Sequence, residues 1–352
     1  MRSAFRAIFM GETHVKSFLK AALVGAALIS LASAAQAAGG VCLITKNNTN
    51  PFFVKMKEGA EAKAKELGIE FAASAGKVDG DAGPQIEAIE NCVAAGHKGI
   101  LITASNDSVI PALKAARAAG LLVIALDTPI GDAEAADTTF ATDNFEAGLL
   151  IGKWALATMG ADAAATAKIG LLNINKDNIS VDVARDTGFL TGFGIAVPDL
   201  KVMGSETDPR VIGHESSGAN PEGGLKSVEN LLAKNPDMNL IFTINEPAAE
   251  GAFQGMKAAG KEKQALIVSV DGGCPGVKSV TDGIIGATSM QFPLLMASKG
   301  VEAVAAFAKD GTKPANSDGL NYFNTGVQLI TDKPADGVPS ITSAEGAKIC
   351  WG

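Results

Sequence analysis

The chain has 352 residues, 47% of them hydrophobic and only 5% aromatic, with 30 Lys and Arg against 38 Asp and Glu. A net charge of −8 disfavours a nucleic-acid partner, which would need phosphates neutralised by a basic surface. Four cysteines with no C-x-x-C spacing suggest neither a zinc ribbon nor a redox motif.

At the N-terminus Arg2, Arg6, Lys16 and Lys20 precede an apolar run from Ala21 to Leu31 that closes on Ala35-Gln36-Ala37. This is the pattern of a secretory signal with a small-residue cleavage site. Ser30, Ser33 and Gln36 interrupt it before the roughly 20 apolar residues that a membrane span requires. Residues 1–37 are therefore expected to be cleaved near Ala37, which leaves 26 basic and 37 acidic side chains, a net charge of −11. The remaining 315 residues exceed what one core usually organises, so two lobes are expected. Export permits disulfides. Cys274 lies in a Gly-Gly-Cys-Pro-Gly turn and Cys350 next to the C-terminus, where a bridge would pin a tail that otherwise frays. Cys42 and Cys92 fit small buried thiols equally well.

In chain order, residues 41–45 read as a strand and 52–67 as a helix with Met56, Ala60, Ala64 and Leu67 on one face, stopped by Gly68. Strands follow at 69–73, 99–103 and 122–126, with helices at 85–95 and 109–119 between them. Ala-Ala-Gly recurs at Gly96, Gly120 and Gly260, each time as a helix stop before a buried strand. A second series begins near Asp143, with strands at 168–173, 239–244, 265–270 and 284–290. Strands alternating with helices from end to end give the α/β class, two doubly wound parallel-sheet lobes. No Pro/Ser-rich linker separates the series, so the chain should cross between lobes near Asp143, Gln291 and Phe323, forming a multi-segment hinge. The expected N-terminal lobe is 38–142 plus 292–322, and the C-terminal lobe 143–291 plus 323–352.

Ligands of open parallel sheets bind outside the carboxyl ends of the strands, so the residues that follow each strand matter most. They are Asn50-Pro51-Phe52-Phe53 after the first strand, then Asp127, Asn245-Glu246, Asp271 and Gln291, with Arg185 on the helix after Asn173. Each has an ordinary reading: Asn50-Pro51 is a common helix start, an Asp after a strand a common turn residue, and an Arg or a Phe pair common on a surface or in a core. Together they suit a neutral sugar. Each hydroxyl donates and accepts, planar amide, carboxylate and guanidinium groups bind hydroxyls in pairs, and an aromatic face suits the C–H face of the ring.

Those segments, with Ala141-Thr142-Asp143-Asn144, Gly188-Phe189, Val270-Asp271-Gly272 and the run from Gly286 to Gln291, resemble the periplasmic sugar-binding proteins of the ribose and galactose receptor type. The resemblance runs over the whole chain after the signal. It is greatest for fructose-binding receptors, through Thr45-Lys46, the run Gly76 to Gly80, the run Gly272 to Gly276 and the terminal Cys350-Trp351-Gly352. It implies the type I periplasmic binding protein fold, a monosaccharide as ligand, an ABC permease of the inner membrane as partner, a monomer in the periplasm and no cofactor. A chemosensory or signal-molecule receptor of the same fold is the alternative. Position by position it implies that Asn50, Asp127, Arg185, Asn245, Asp271 and Gln291 bind hydroxyls and that Phe52 and Phe53 meet the ring. Two departures disfavour ribose: Thr128 replaces an Arg, and an aromatic is missing near Ala219. Lys46 is the candidate replacement for the lost positive charge.

An enzyme is not expected. G-x-G-x-x-G, Walker, G-x-S-x-G and H-E-x-x-H motifs are missing, and the three histidines lack ligand spacing. Asp127 and Asp271 are possible as a glycosidase pair, but amides and Arg at the neighbouring strand ends favour holding over hydrolysis. The stretch 173–177 hints at a calcium loop but lacks its Gly and its terminal acid, Asn178 and Ala184 standing there instead.

Overall fold

The computed structural model describes residues 39–352; the expected signal and its cleavage site lie outside the described residues. The elements run β1 (Val41–Thr45), α1 (Pro51–Leu67), β2 (Phe71–Ala75), α2 (Gly83–Ala94), β3 (Gly99–Ile102), α3 (Ile110–Ala118), β4 (Leu122–Leu126) and β5 (Thr138–Ala141). There follow α4 (Asn144–Met159), α5 (Ala161–Ala165), β6 (Ile169–Asn173), α6 (Ser180–Gly192), β7 (Val211–Ser216), α7 (Pro221–Lys234), β8 (Leu240–Thr243), α8 (Glu246–Ala258), β9 (Leu266–Asp271), α9 (Cys274–Thr281) and β10 (Ala287–Met290). The chain ends with α10 (Pro293–Asp310), β11 (Phe323–Asn324), β12 (Gln328–Ile330) and α11 (Ser343–Gly346).

Two six-stranded sheets result, ordered β11-β5-β4-β3-β1-β2 and β12-β10-β9-β8-β6-β7. All pairings are parallel except that of β12 with β10. In each sheet the order reverses beside the first strand of its series, and side-chain parity sorts the two faces. On the first sheet Val41, Leu43, Leu101 and Ile124 pack with α1 and α10, while Cys42, Ile44, Ile100 and Val123 pack with α2 and α3. On the second, Leu171, Phe242 and Val268 face α4 and α6, and Leu172, Ile241 and Ile267 face α7 and α8. Strands buried on both faces read as unbroken apolar runs, which is why β1, β3, β4 and β9 stand out in the sequence. The Ala-Ala-Gly stops take the left-handed backbone at Gly96, Gly120 and Gly260, with φ of 74°, 91° and 69°.

The expected lobe boundary at residue 323 is displaced. Phe323 and Asn324 still pair with Phe140 and Ala141 of the first sheet, whereas Gln328 pairs with Met290 of the second, so the third crossing is 325–327. The other two fall where β5 leads into α4 and where β10 leads into α10. The strand expected at 69–73 begins two residues later, because Ile69 closes the α1 terminus by donating its N–H to the Ala64 carbonyl at 3.0 Å.

All four cysteines are paired. Cys274–Cys350 ties the C-terminal tail to α9, and Cys42–Cys92 ties β1 to α2. The second bridge closes a separation of 50 residues within the first lobe. Replacing Cys42 and Cys92 together by Ala is expected to cost about 2–4 kcal/mol, mainly by freeing the unfolded chain. Urea unfolding of wild type and variant checks this, and an unchanged midpoint contradicts it.

Candidate functional site

The carboxyl ends of both sheets face a cavity between the lobes. Its lining includes Lys46, Asn50, Phe52, Phe53 and Asp127 from the first lobe, Arg185, Asn245 and Asp271 from the second, and Gln291 from the crossing after β10. The structure thus brings all nine candidate residues to one place. It adds Asp79, Ile174, Val181, Ala219 and Ile244, which the sequence reading did not single out as site residues.

The local reasons differ. Asn50 is the N-cap of α1, its side-chain oxygen accepting from Phe52 N–H at 3.0 Å, with Pro51 at the first position. The ordinary helix-start role is therefore filled by the oxygen, leaving the amide nitrogen to the cavity. Asn245 caps α8 in the same way through Ala248 N–H at 3.1 Å and donates its amide to the Ala219 carbonyl at 3.1 Å. Arg185 is 4% exposed; its Nε donates to Asn144 Oδ1 at 2.8 Å and one Nη to the Ile244 carbonyl at 2.7 Å. Helices α4 and α6 approach closely beneath it, because Gly148 lies against the Arg185 carbonyl where any Cβ would collide. Lys46 Nζ donates to Thr128 Oγ1 at 3.0 Å, and that hydroxyl donates to Asp127 Oδ2 at 2.8 Å. The cation at Lys46 is thereby linked to the carboxylate through Thr128. On the opposite wall Asp271 Oδ1 accepts from Gln291 Nε2 at 2.9 Å, and Gln291 Oε1 is buried without a partner.

Below Asp271 lies Glu246, whose carboxylate accepts from Gly272 N–H at 2.9 Å, Gly273 N–H at 3.0 Å and the Thr288 hydroxyl at 2.7 Å. Burial raises the pKa of both acids; the charge of Asp271 pushes Glu246 further up, and Arg185 pulls Asp271 back down. Among the described residues, positive φ outside glycine occurs at Asp127 (63°), Ala219 (55°) and Asp271 (140°), and all three line this cavity. Such backbone is held only where surrounding contacts over-determine it, and it concentrates at functional sites.

Phe52 and Phe53 pack edge to face at 5.5 Å with an 81° interplanar angle. Only one of them can therefore lie parallel to a flat ligand in the cavity. Ala219, where an aromatic is missing, contributes backbone: its carbonyl fixes Asn245. Asp79 is brought in by the turn after β2, its carboxylate accepting from Asn47 Nδ2 at 2.9 Å. The uncommitted atoms comprise donors from Asn50 and Arg185 and acceptors from Asp79, Asp127, Asp271 and Gln291. Among the described residues no group of three His, Cys, Asp or Glu is placed to hold a metal.

The stretch 173–177 has another occupation. Asn173 donates its amide to Asp186 and meets His214 Nδ1 at 3.1 Å, while His214 Nε2 meets Glu206 at 2.7 Å. Asp182 accepts from Ile174 N–H through both oxygens. Burial, reinforced by Asp186, raises Asp182 to about 8. Burial lowers His214, but its bonds to Asp186 and Glu206 outweigh this and raise it to about 9. A raised folded-state pKa contributes stability below the unfolded value, here 3.8 for Asp182 and 6.5 for His214, and loses it as pH rises through the folded one. The unfolding temperature is accordingly expected to fall between about pH 4 and pH 9, and Asp182→Asn to reduce that fall. Thermal unfolding across this range tests both, and a flat wild-type profile contradicts the assignment.

Residues 41–313 match the family described as periplasmic binding protein domain. The chain is 31% identical over 283 residues to the ribose import binding protein of Haemophilus influenzae, covering 80% of this chain and 90% of that one. It is 27% identical over 305 residues to the D-allose-binding periplasmic protein of Escherichia coli, covering 84% and 91%. In fold it is similar to an ABC transporter solute-binding protein from Agrobacterium vitis with bound D-fucose, at a TM-score of 0.73 and 23% identity over 89% of this chain and 100% of that one.

Proposed function

Because this chain belongs to the periplasmic binding protein family, a family of binding proteins and not of enzymes, we propose that it captures a free monosaccharide between its lobes for import by an ABC permease. The observation that carries this reading is the composition of the cavity wall: both lobes contribute uncommitted donors and acceptors, beside two aromatic rings. A sugar hydroxyl satisfies one of each. Three carboxylates in the lining, Asp79, Asp127 and Asp271, against Lys46 and Arg185 disfavour sugar phosphates and sugar acids. The relatives named for ribose import, D-allose binding and D-apiose import support a neutral sugar.

Among such sugars fructose is the preferred candidate. The Lys46–Thr128–Asp127 chain stands where ribose receptors have Arg after the Asp, so the first lobe offers the ring a different pattern of donors. Buried polar groups discriminate strongly between hydroxyl arrangements, because a mismatch leaves one of them unpaired at about 1–3 kcal/mol. The mechanism is closure by rotation about the three crossings. The sugar first binds one lobe, the other lobe adds its hydrogen bonds, and the closed population rises by the difference in affinity. The permease then reads the closed surface of a monomer exported to the periplasm.

A thermal-shift screen over fructose, ribose, allose, mannose, galactose and apiose is expected to give its largest rise with fructose, since ligand at 100 times Kd adds about 2.7 kcal/mol. No response to any of them sinks the reading; a response to another sugar alone overturns only the fructose assignment. Asp127→Ala and Arg185→Ala are each expected to weaken calorimetric affinity by roughly 2–3 kcal/mol with folding retained. Wild-type affinity in both removes these residues from the site.

A further inference from the structure

The C-terminal tail connects parts of the molecule that the crossings keep apart. Cys350 is bonded to Cys274 at the start of α9, in the second lobe. Cys274 N–H donates to the Trp351 carbonyl at 2.8 Å, and Gly273 forms a parallel bridge with Trp351. The backbone of Trp351 is thus an extension of the loop that begins at Asp271. Its side chain goes elsewhere. The indole is 6% exposed and belongs to the core of the first lobe, with Phe52, Met56 and Met296. It meets Phe52 edge to face at 5.5 Å and 75°, and its N–H donates to the Gln291 carbonyl at 2.8 Å.

Three groups of the cavity wall therefore converge on one residue that does not itself line the cavity. Phe52 is backed by the indole, Gln291 is held by its N–H, and the Asp271 loop is joined to its backbone by Gly273 and the disulfide. We propose that Trp351 is a positioning residue for ligand capture, an interlobe strap that sets Phe52 and Gln291 against Asp271. The Cys274–Cys350 disulfide is what fixes the strap to the second lobe. This rests on the reading of the cavity as a monosaccharide site. Closure changes the separation of the Asp271 loop and Phe52, so the indole must either move with the loop or slide over Phe52.

The test is titration calorimetry of wild type, Trp351→Phe, Trp351→Ala and Cys274→Ser/Cys350→Ser with D-fructose, D-ribose and D-allose, beside sugar-free thermal unfolding of each. Trp351→Ala and the double serine variant are expected to bind about tenfold more weakly, and Trp351→Phe, which keeps an edge for Phe52, to recover part of that loss. The chain holds two tryptophans, so in Trp154→Phe the emission reports Trp351 alone and should change on sugar addition, while in Trp351→Phe the remaining Trp154 should stay silent. Trp351→Ala binding as tightly as wild type, or Trp351 emission unmoved at saturation, overturns the proposal while leaving the sugar site standing. If wild type binds none of the three sugars, the site reading falls and the strap's role in capture falls with it.

Discussion

A guanidinium that is almost wholly buried must have fixed acceptors, and those of Arg185 come from two other segments, Asn144 at the start of α4 and Ile244 after β8. The rest of the cavity follows from this requirement. Asn144 is the first helical residue after the chain leaves the first lobe, so the same contact that gives the guanidinium an acceptor anchors a crossing. Ile244 leads directly into Asn245, whose amide reaches the Ala219 carbonyl and so fixes two more residues of the cavity lining. Gly148 and Gly188 let α4 and α6 come close enough for the arginine to span these partners, each lying where a Cβ would meet the facing backbone. The cation is therefore positioned by backbone geometry, and its free edge points at a place fixed before any ligand arrives.

The acids opposite it are set by the same economy of partners. Asp271 shares its charge with Gln291 and Arg185, and Glu246 holds the turn that carries it through two backbone N–H groups and a hydroxyl. Asp271 is not paired with a cation in a direct salt bridge, which keeps lone pairs available to a neutral ligand. A buried ion pair would satisfy the same atoms permanently and close the site to hydroxyls.

Much of this was legible in the sequence because β1, β4, β8 and β9 are largely apolar runs that lead into conspicuous polar residues, and a doubly wound sheet gathers its carboxyl ends. β7, with His214 and Glu215 in an edge strand, and the two- and three-residue β11 and β12 carry too little pattern to be recognised. Their omission misplaced the third crossing. Asp79 and Ala219 were not singled out as site residues because they reach the cavity through turns whose direction depends on long-range contacts, Asn47 for one and Asn245 for the other. The Asp186–His214–Glu206 cluster was invisible for a related reason: its members are separated in the chain and joined only by the pairing of β6 with β7. The two disulfides also divide this way, since Cys350 near a terminus suggested a bridge while the Cys42–Cys92 spacing suited free thiols equally.

The left-handed backbone at Asp127, Ala219 and Asp271 sets thermostability and capture against each other. Glycine or asparagine relaxes such positions, so selection for heat resistance alone would draw the chain toward them at Asp127 and Asp271, where a carboxylate is needed. A homologue hardened at these positions would keep both sheets and both bridges and lose its grip on the ligand. Sequence drift at Asp127 and Asp271 can thus separate the durability of this scaffold from its usefulness without disturbing either core.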